Sequence, residues 1–167
     1  MTIQGINGLP RDEFVRIVGP VFEHSPWIAE HTQGPFADVN DLHAKLVATT
    51  NASADDEKLS LIRAHPDLVG RLAQEGKLTK ESTGEQAAAG LTHLSPEEAA
   101  AFEHYNRAYR EKFGFPFVIC ARENKKDAIL AAFPVRLNNN ASQEMNTALA
   151  EIYKIARLRL FDLIQES

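Results

Sequence analysis

Apolar residues recur along most of the chain at intervals of three and four, the spacing of one face of an α-helix. Between residues 39 and 50 this face consists of Val39, Leu42, Leu46 and Val47. A longer face near the C-terminus predicts a final helix of about 23 residues, which begins at Ser142 and reaches Ile164. The pattern therefore favours a predominantly helical protein.

Proline, glycine and capping residues divide the helical pattern into segments. Further helices are predicted to begin near Pro10, Pro26, Ser53, Pro66, Ser82, Ser95 and Lys125. Ser82 to Glu85 and Ser95 to Glu98 both fit the capping box, in which a serine is followed three residues later by a glutamate. We expect Gly76 to end the helix that starts at Pro66, and Gly90 to end the next one.

One apolar run does not follow the helical pattern. Residues Phe115 to Ala121 are apolar, partly β-branched and interrupted by Pro116. The chain offers no second strand with which this run could form a ladder, so we predict a buried, extended connection in an all-α fold. Its N–H and C=O groups then need partners, and a bound ligand is one candidate.

Composition and charge exclude several classes of protein. The 167 residues carry a formal net charge of −5 without a dense basic block, which argues against nucleic-acid binding. No apolar run approaches the roughly 20 residues of a membrane span. Cys120 is the single cysteine, the N-terminus lacks a signal-peptide pattern, and the last three residues are not a peroxisomal signal. We expect a cytoplasmic protein.

His65 is the first candidate for chemistry. It stands in Ala64-His65-Pro66-Asp67-Leu68, between two predicted helices, because a proline disfavours helical backbone in the residue before it. A histidine at such a corner can point into a cleft and exchange a proton near neutral pH. The alternative is a half-buried histidine bonded to a backbone carbonyl, and the local sequence leaves both open.

Two further features suit a small anionic ligand. The predicted helix start at Ser82 would present N–H groups to an anion, although a capping box needs no ligand. In the final helix, Arg159 lies about 70° and Arg157 about 90° from the centre of the apolar face. This slightly favours Arg159 as the buried arginine that could hold a carboxylate; alternatively, both arginines extend into solvent.

Other sites are not supported by the sequence. The histidines do not form H-E-x-x-H and no cysteine pair exists, so no metal site is predicted. Nucleophile-elbow, P-loop and dinucleotide-binding motifs are absent. Cys120 lies in an apolar run, which raises the pKa of a thiol, and is interpreted as a packing residue.

Together these residues resemble the OHCU decarboxylase family, whose substrate is 2-oxo-4-hydroxy-4-carboxy-5-ureidoimidazoline (OHCU). The matching blocks occur in family order and cover roughly residues 10 to 165. They are Ala64 to Leu68, Ser82 to Gln86, Ala89 to Leu91, Asn106 to Arg122 with its F-G-F-P-F-V-I core, Arg136 to Asn138, Glu151-Ile152 and Leu158 to Leu160.

The resemblance implies an all-α, single-domain bundle over residues 1–167 and a homodimer. It implies decarboxylation of OHCU to (S)-allantoin, the last step from urate, without metal or cofactor. The residues at the family's catalytic positions are His65, Glu85 and Arg159. The residues at its substrate-binding positions are Pro66, Ser82, Thr83, Gly84, Glu85, Gln86, Phe117, Val118, Ile119, Cys120, Ala121 and Arg159.

The expected partner is thus a small molecule rather than a nucleic acid or a membrane. Functional coupling to a hydroxyisourate hydrolase, which would hand over a labile substrate, is left open. One alternative is a non-catalytic helical ligand-binding module on the same scaffold. Another is a ureide hydrolase, which would need an activated water, and the sequence contains no metal or paired-carboxylate motif to activate one.

Overall fold

The computed structural model describes residues 1–70 and 76–165, and within them the regular structure is helical, without a β-strand. This confirms the all-α fold class. The α-helices are α1 (Ile3–Asn7), α2 (Arg11–Val18), α3 (Trp27–Glu30), α4 (Val39–Asn51), α5 (Asp55–Arg63), α6 (Lys80–Ala88), α7 (Pro96–Phe113), α8 (Lys126–Leu137) and α9 (Ala141–Leu163). Short 3-10 turns occupy Gly19–Val21 and Ala121–Glu123.

The chain divides into two compact units. Unit 1 comprises Met1–Ala64 and Tyr153–Ser167, and unit 2 comprises His65–Ile152. Unit 1 therefore contains α1 to α5 and the C-terminal part of α9, while unit 2 contains α6 to α8 and the N-terminal part of α9. Of the predicted site residues, Arg159 belongs to unit 1 and the others to unit 2.

Several helices follow the predicted pattern closely. α4 buries Val39, Leu42 and Leu46 on its apolar face. α7 begins with the predicted capping box, in which Ser95 Oγ accepts from the Glu98 N–H at 3.1 Å and Glu98 Oε1 accepts from the Ser95 N–H at 3.0 Å. It ends at Gly114, whose φ of 77° is a left-handed conformation that glycine adopts without strain.

Three predicted caps are wrong. α6 is capped by Thr79, whose hydroxyl accepts from the Ser82 N–H at 3.2 Å, so the helix starts before the predicted Ser82. α5 follows Ala54 rather than Ser53. α9 follows Asn140, whose Oδ1 accepts from the Gln143 N–H at 2.8 Å. At α6 and at α9, two residues that can both cap a helix lie within three positions of each other. Their capping preferences are similar, so the local sequence does not show which of the two begins the helix.

The helix predicted from Pro66 is also wrong in its described part. Pro66 and Asp67 have no regular structure, and Leu68 and Val69 form a turn. Residues 71 to 74 of that prediction lie outside the described residues. α1, in contrast, was not predicted by the apolar pattern.

The core of unit 2 is aromatic. The rings of Phe117 and Phe133 stack with centroids 3.9 Å apart, and Phe102 meets Phe133 edge to face. Stacking fixes the extended run against α8, because aromatic pairs of this kind add to the free energy of burial. Among the described helices, none combines the length and hydropathy that a membrane crossing requires.

Candidate active site

His65 stands two residues after the end of α5, at the first position of unit 2. Its side chain is buried, with 6% of its surface exposed. The predicted end of a helix before His65 is confirmed, since α5 ends at Arg63 and no helix includes His65 or Pro66. A buried imidazole at a corner is positioned for proton transfer and equally for a structural hydrogen bond.

Side chains from α6 and α7 hold the three residues that follow Pro66. Arg110 Nε donates to both carboxylate oxygens of Asp67, at 2.9 and 3.1 Å. Asn106 Nδ2 donates to the carbonyl of Leu68 at 2.8 Å. Gln86 Oε1 accepts from the N–H of Val69 at 3.2 Å. Here the structure brings together two of the predicted pieces, the His65 corner and the end of the Ser82–Gln86 segment.

The predicted residues of α6 fall on two faces. Ser82 and Gln86 are buried and Glu85 is half-buried, whereas Thr83 and Gly84 are exposed. The N–H groups of Ser82 and Thr83 already donate to Thr79, at 3.2 and 2.9 Å. The hypothesis that a helix start at Ser82 offers these amides to an anion is therefore wrong.

The buried, non-helical run is confirmed from Pro116 to Cys120, where Cys120 has extended backbone, whereas Phe115 lies in a bend and Ala121 begins a 3-10 turn. One edge of this run is bonded to charged side chains. Arg136 Nη1 donates to the Val118 carbonyl at 2.6 Å. Glu151 Oε1 accepts from the Cys120 N–H at 3.2 Å. In extended backbone the groups of residues i and i+2 point the same way, so these two bonds secure the edge formed by Val118 and Cys120.

The opposite edge makes no such bonds. The backbone N–H and C=O groups of Phe117 and Ile119 form no hydrogen bond within the described part of the chain. Both residues are buried, and a buried backbone group without a partner is costly. This edge is therefore the part of the run that could pair with the amide groups of a ligand.

A buried polar network supports the extended run from α8 and α9. Arg136 Nε donates to Glu144 Oε1 at 2.7 Å, and the Tyr109 hydroxyl donates to the same oxygen at 2.6 Å. The guanidinium also lies 4.1 Å from the centre of the Phe117 ring. Burial and the hydrogen bond to Glu144 raise the pKa of Tyr109 well above its ordinary value, which keeps the hydroxyl as the donor.

The interpretation of Cys120 as a packing residue agrees with its surroundings. Its side chain is 1% exposed. Burial, with a smaller contribution from nearby Glu123, raises the pKa of the Cys120 thiol to about 11. The thiolate that a nucleophile requires is thus disfavoured at neutral pH.

Arg159 is the buried arginine of α9, as predicted, while Arg157 is exposed. Its Nη2 donates to Glu23 Oε1 at 2.8 Å and its Nη1 to the Pro20 carbonyl at 3.2 Å. Arg159 thus forms a buried ion pair within unit 1.

The sequence analysis missed the residues that support the site. Asn106, Tyr109, Arg136 and Glu151 stood within the matching blocks, but no role was assigned to them, and Glu144 stood outside every block. Their only signal is polarity at positions that helical periodicity places on a buried face. Across residues 1–70 and 76–165, no cluster of three or more histidine, cysteine or carboxylate side chains could hold a metal ion.

Comparisons with known proteins identify the family. A family model described as OHCU decarboxylase matches residues 7–161. A 2-oxo-4-hydroxy-4-carboxy-5-ureidoimidazoline decarboxylase from Amia calva is 42% identical over 167 residues, which cover 99% of this chain and 95% of that protein. A uric acid degradation bifunctional protein from a Bacillus species is 36% identical over 99% of this chain and 33% of its own length.

A crystal structure of (S)-allantoin synthase has a TM-score of 0.79 to this chain at 30% sequence identity. The similarity covers 98% of this chain and 54% of that one, so this chain spans about half the length of that solved protein. The match over nearly the whole sequence, with the buried corner histidine and the extended run in place, shows that this chain belongs to the OHCU decarboxylase family.

Proposed function

We propose that this protein is a carboxy-lyase that converts OHCU and a proton into (S)-allantoin and carbon dioxide. The observation that carries the proposal is the family match over residues 7–161, with 42% identity to a decarboxylase of that name. The relative described as a uric acid degradation protein supports a place in urate breakdown.

The chemistry requires charge stabilisation and proton transfer. When the bond to the carboxylate breaks, carbon dioxide leaves and the electron pair moves into the neighbouring imine, whose nitrogen takes a proton. The hydroxyl then loses its proton as a carbonyl forms, and a proton is added to one face of the ureido-bearing carbon. Because the substrate contains its own electron sink, the proposal includes no cofactor.

His65 is assigned as the acid and base of this reaction, acting on the substrate hydroxyl or the ring. Its burial at the corner supports the assignment, since a dry site strengthens the effect of a correctly placed proton donor. Glu85 would hold the protonation state of the histidine or bind the substrate. Arg159 would hold an anionic or carbonyl oxygen.

The substrate's ureido and ring amides would pair with Gln86 and with the edge of the extended run formed by Phe117 and Ile119. The missing hydrogen bonds on that edge support this proposal, because ligand amides would supply partners that the protein does not. Pro66 and the remaining predicted residues would complete the pocket. They are Ser82, Thr83, Gly84, Val118, Cys120 and Ala121.

The proposal extends to assembly and location. It treats residues 1–167 as one OHCU decarboxylase domain, which the family match supports, and it includes a homodimer and a small-molecule substrate as the partners. The single cysteine supports a reducing, cytoplasmic location. Coupling to a hydroxyisourate hydrolase is included because the substrate decays without enzyme.

The direct test generates the substrate in place from urate, with urate oxidase and hydroxyisourate hydrolase. Circular dichroism then follows the appearance of (S)-allantoin. The wild-type protein should produce the signal rapidly, and His65→Ala should reduce it to the uncatalysed rate while the far-ultraviolet spectrum stays helical. His93→Ala, at an exposed histidine of unit 2, is the matched control.

Slow formation of racemic allantoin by the wild-type protein would contradict the proposal. Titration calorimetry with (S)-allantoin then separates the alternatives, because binding without turnover would favour the non-catalytic ligand-binding module. Activity that persists in His65→Ala would instead show that another group transfers the proton.

A further inference from the structure

The turn that follows His65 has a backbone conformation that local sequence does not favour. The Asp67 carbonyl accepts from the Gly70 N–H at 3.3 Å, which closes a turn over these four residues. Within it, Val69 has φ 56°, in the left-handed region that β-branched residues rarely enter. Such a conformation persists only where the surrounding structure imposes it.

Gly70 shows how closely the turn is packed. A Cβ added to this glycine would stand 2.7 Å from the Cβ of Asp67, closer than two carbon atoms can approach. The turn therefore leaves no room for a side chain at position 70 unless Asp67 moves. Any group that holds Asp67 also constrains the backbone leading back to His65.

The contacts that impose this backbone conformation come from side chains outside the turn. Asn106 and Arg110 lie one helical turn apart on α7, and they bind the Leu68 carbonyl and the Asp67 carboxylate. Together with the bond from Val69 to Gln86, three consecutive residues are each held by a side chain from another helix.

The side-chain amide of Asn106 donates a hydrogen bond but accepts none. The side chain is 7% exposed, its Nδ2 donates to Leu68, and its Oδ1 lacks a hydrogen-bond partner. Leaving a buried acceptor unpaired opposes folding. The residue is thus poorly suited to stability alone, while its donor is well placed to fix the turn.

Arg107 provides a contrast on the same helix. It forms an exposed pair with Glu103 at 3.0 Å, within α7, and makes no hydrogen bond to residues 67–70 of the turn. Arg110, three residues later, reaches Asp67 with two hydrogen bonds. The difference indicates that the contact of Arg110 is specific to its position rather than general to the surface of α7.

We infer that Asn106 and Arg110 are positioning residues for His65, which α7 orients by holding the Asp67 carboxylate and the Leu68 carbonyl. The inference rests on the proposed function for its kinetic consequence, whereas the orientation of His65 can be tested without activity. Neither residue is assigned a contact with substrate.

The test uses conservative and disruptive variants of both residues. Asn106→Asp keeps the shape and the acceptor but replaces the donor that binds Leu68, and Asn106→Leu removes both. Arg110→Ala removes the contact with Asp67, Arg110→Lys keeps the charge, and Arg107→Ala is the control. Each variant is measured for kcat and KM in the coupled assay, and for the ¹³Cε1 resonance of His65 in histidine-labelled protein without substrate.

A misplaced catalytic group of about 1 Å costs on the order of 100-fold in rate, and this is the expected loss of kcat in Asn106→Asp, with KM changed less than about threefold. Arg110→Ala should lose about tenfold, and Arg110→Lys should recover most of it. The His65 resonance should shift in Asn106→Asp and Arg110→Ala, and remain in place in Arg107→Ala.

Unchanged kcat and an unchanged His65 resonance in Asn106→Asp and Arg110→Ala would overturn the inference. A rise in KM at constant kcat would also overturn it, because that pattern belongs to substrate binding. If the Asn106 variants do not fold, the inference is decided by kcat and the His65 resonance in the variants of Arg110, which is partly exposed. If the wild-type protein has no decarboxylase activity, the proposed function fails, and the resonance still decides whether α7 orients His65.

Discussion

In the part of the chain that the structure describes, each unit contains a buried arginine–glutamate pair, and the two pairs are alike in geometry. In unit 2, Arg136 and Glu144 approach to 2.7 Å with side chains 8% and 0% exposed. In unit 1, Arg159 and Glu23 approach to 2.8 Å with side chains 5% and 1% exposed. Distance and burial alone would assign them the same role.

Their surroundings separate them. Arg136 also binds the Val118 carbonyl and lies over the Phe117 ring, so its donors end on the proposed substrate-binding run. Arg159 binds Glu23 and the Pro20 carbonyl within unit 1, yet it is the arginine that the family resemblance assigns to substrate. The role of a buried arginine is therefore indicated by the groups that it contacts in addition to its carboxylate partner, rather than by the ion pair itself.

The largest effect is expected from Glu144→Ala. The substitution leaves Arg136 as a buried charge without its carboxylate, and the Tyr109 hydroxyl loses its acceptor. Removing one partner of a buried pair costs about 3–5 kcal/mol of the free energy of unfolding. Urea denaturation followed by circular dichroism measures it, and a loss below about 1 kcal/mol would show that the network is dispensable.

The next effect concerns the pair in unit 1. Glu23→Leu alone should cost about 3 kcal/mol, and the double variant Glu23→Leu with Arg159→Met should recover most of that stability, because both charges are removed together. The Pro20 carbonyl also loses a donor, but Pro20 is exposed and its carbonyl can bind water instead. The double variant should remain inactive if Arg159 binds substrate. If the double variant recovered activity as well as stability, Arg159 would have a structural role, like Arg136, and would not bind substrate.

In unit 2 the corresponding double variant should not recover the free energy of unfolding that the single substitution loses. Arg136→Met with Glu144→Leu removes both charges but leaves the Val118 carbonyl and the Tyr109 hydroxyl without their partners. Unpaired buried groups cost about 1–3 kcal/mol each. Equal recovery in the two units, measured in the same urea titration, would contradict the distinction drawn between the pairs.

A smaller effect on the free energy of unfolding is expected in unit 1 at acid pH, through His43. His43 Nε2 bonds the Tyr153 carbonyl at 2.8 Å, and burial lowers the pKa of His43 below its ordinary value. The unfolded chain then takes up the proton more readily than the folded one. Stability is therefore present above the unfolded pKa of about 6.5 and falls as the pH drops through the lower folded value.

His43→Gln should make the free energy of unfolding depend less steeply on pH between about 7 and 5. Urea titrations at several pH values in this window measure the slope. Identical slopes for the wild-type protein and the variant would show that protonation of His43 does not couple to unfolding.

The smallest effect is expected from Arg16→Ala. Arg16 and Glu13 approach to 2.7 Å, as close as the buried pair of unit 2, but their side chains are 68% and 42% exposed. Water and salt screen such a pair, so the change in unfolding free energy should lie within experimental error. A clear loss would mean that distance rather than burial determines the strength of these pairs.

Helices could be read from the sequence because their signals are local. Apolar spacing and a matched capping box place α4 and α7 within one or two residues. The prediction failed where two capping residues stand close together, as Thr79 and Ser82 do before α6. Either hydroxyl can accept the bond, and packing of the whole helix selects between them.

The site could be foreseen in part. The corner at His65 and the extended run follow from proline and from the lack of a strand partner, and the capping pattern together with the family resemblance indicated the residues of α6. The support of these pieces could not be foreseen. Arg136 and Glu144 come from successive helices and meet at Tyr109, and Asn106 reaches Leu68 across 38 positions of sequence.

The amino-acid order thus specified most of the helices, the corner histidine and the family, because periodicity, proline geometry and residue identity act over a few neighbouring positions. The pairing of each buried charge, the face of α6 that turns inward and the bonded edge of the extended run emerged only on folding. These features depend on which side chains helix packing brings within about 3 Å, and sequence spacing does not reveal hydrogen bonds between residues that are far apart in the chain.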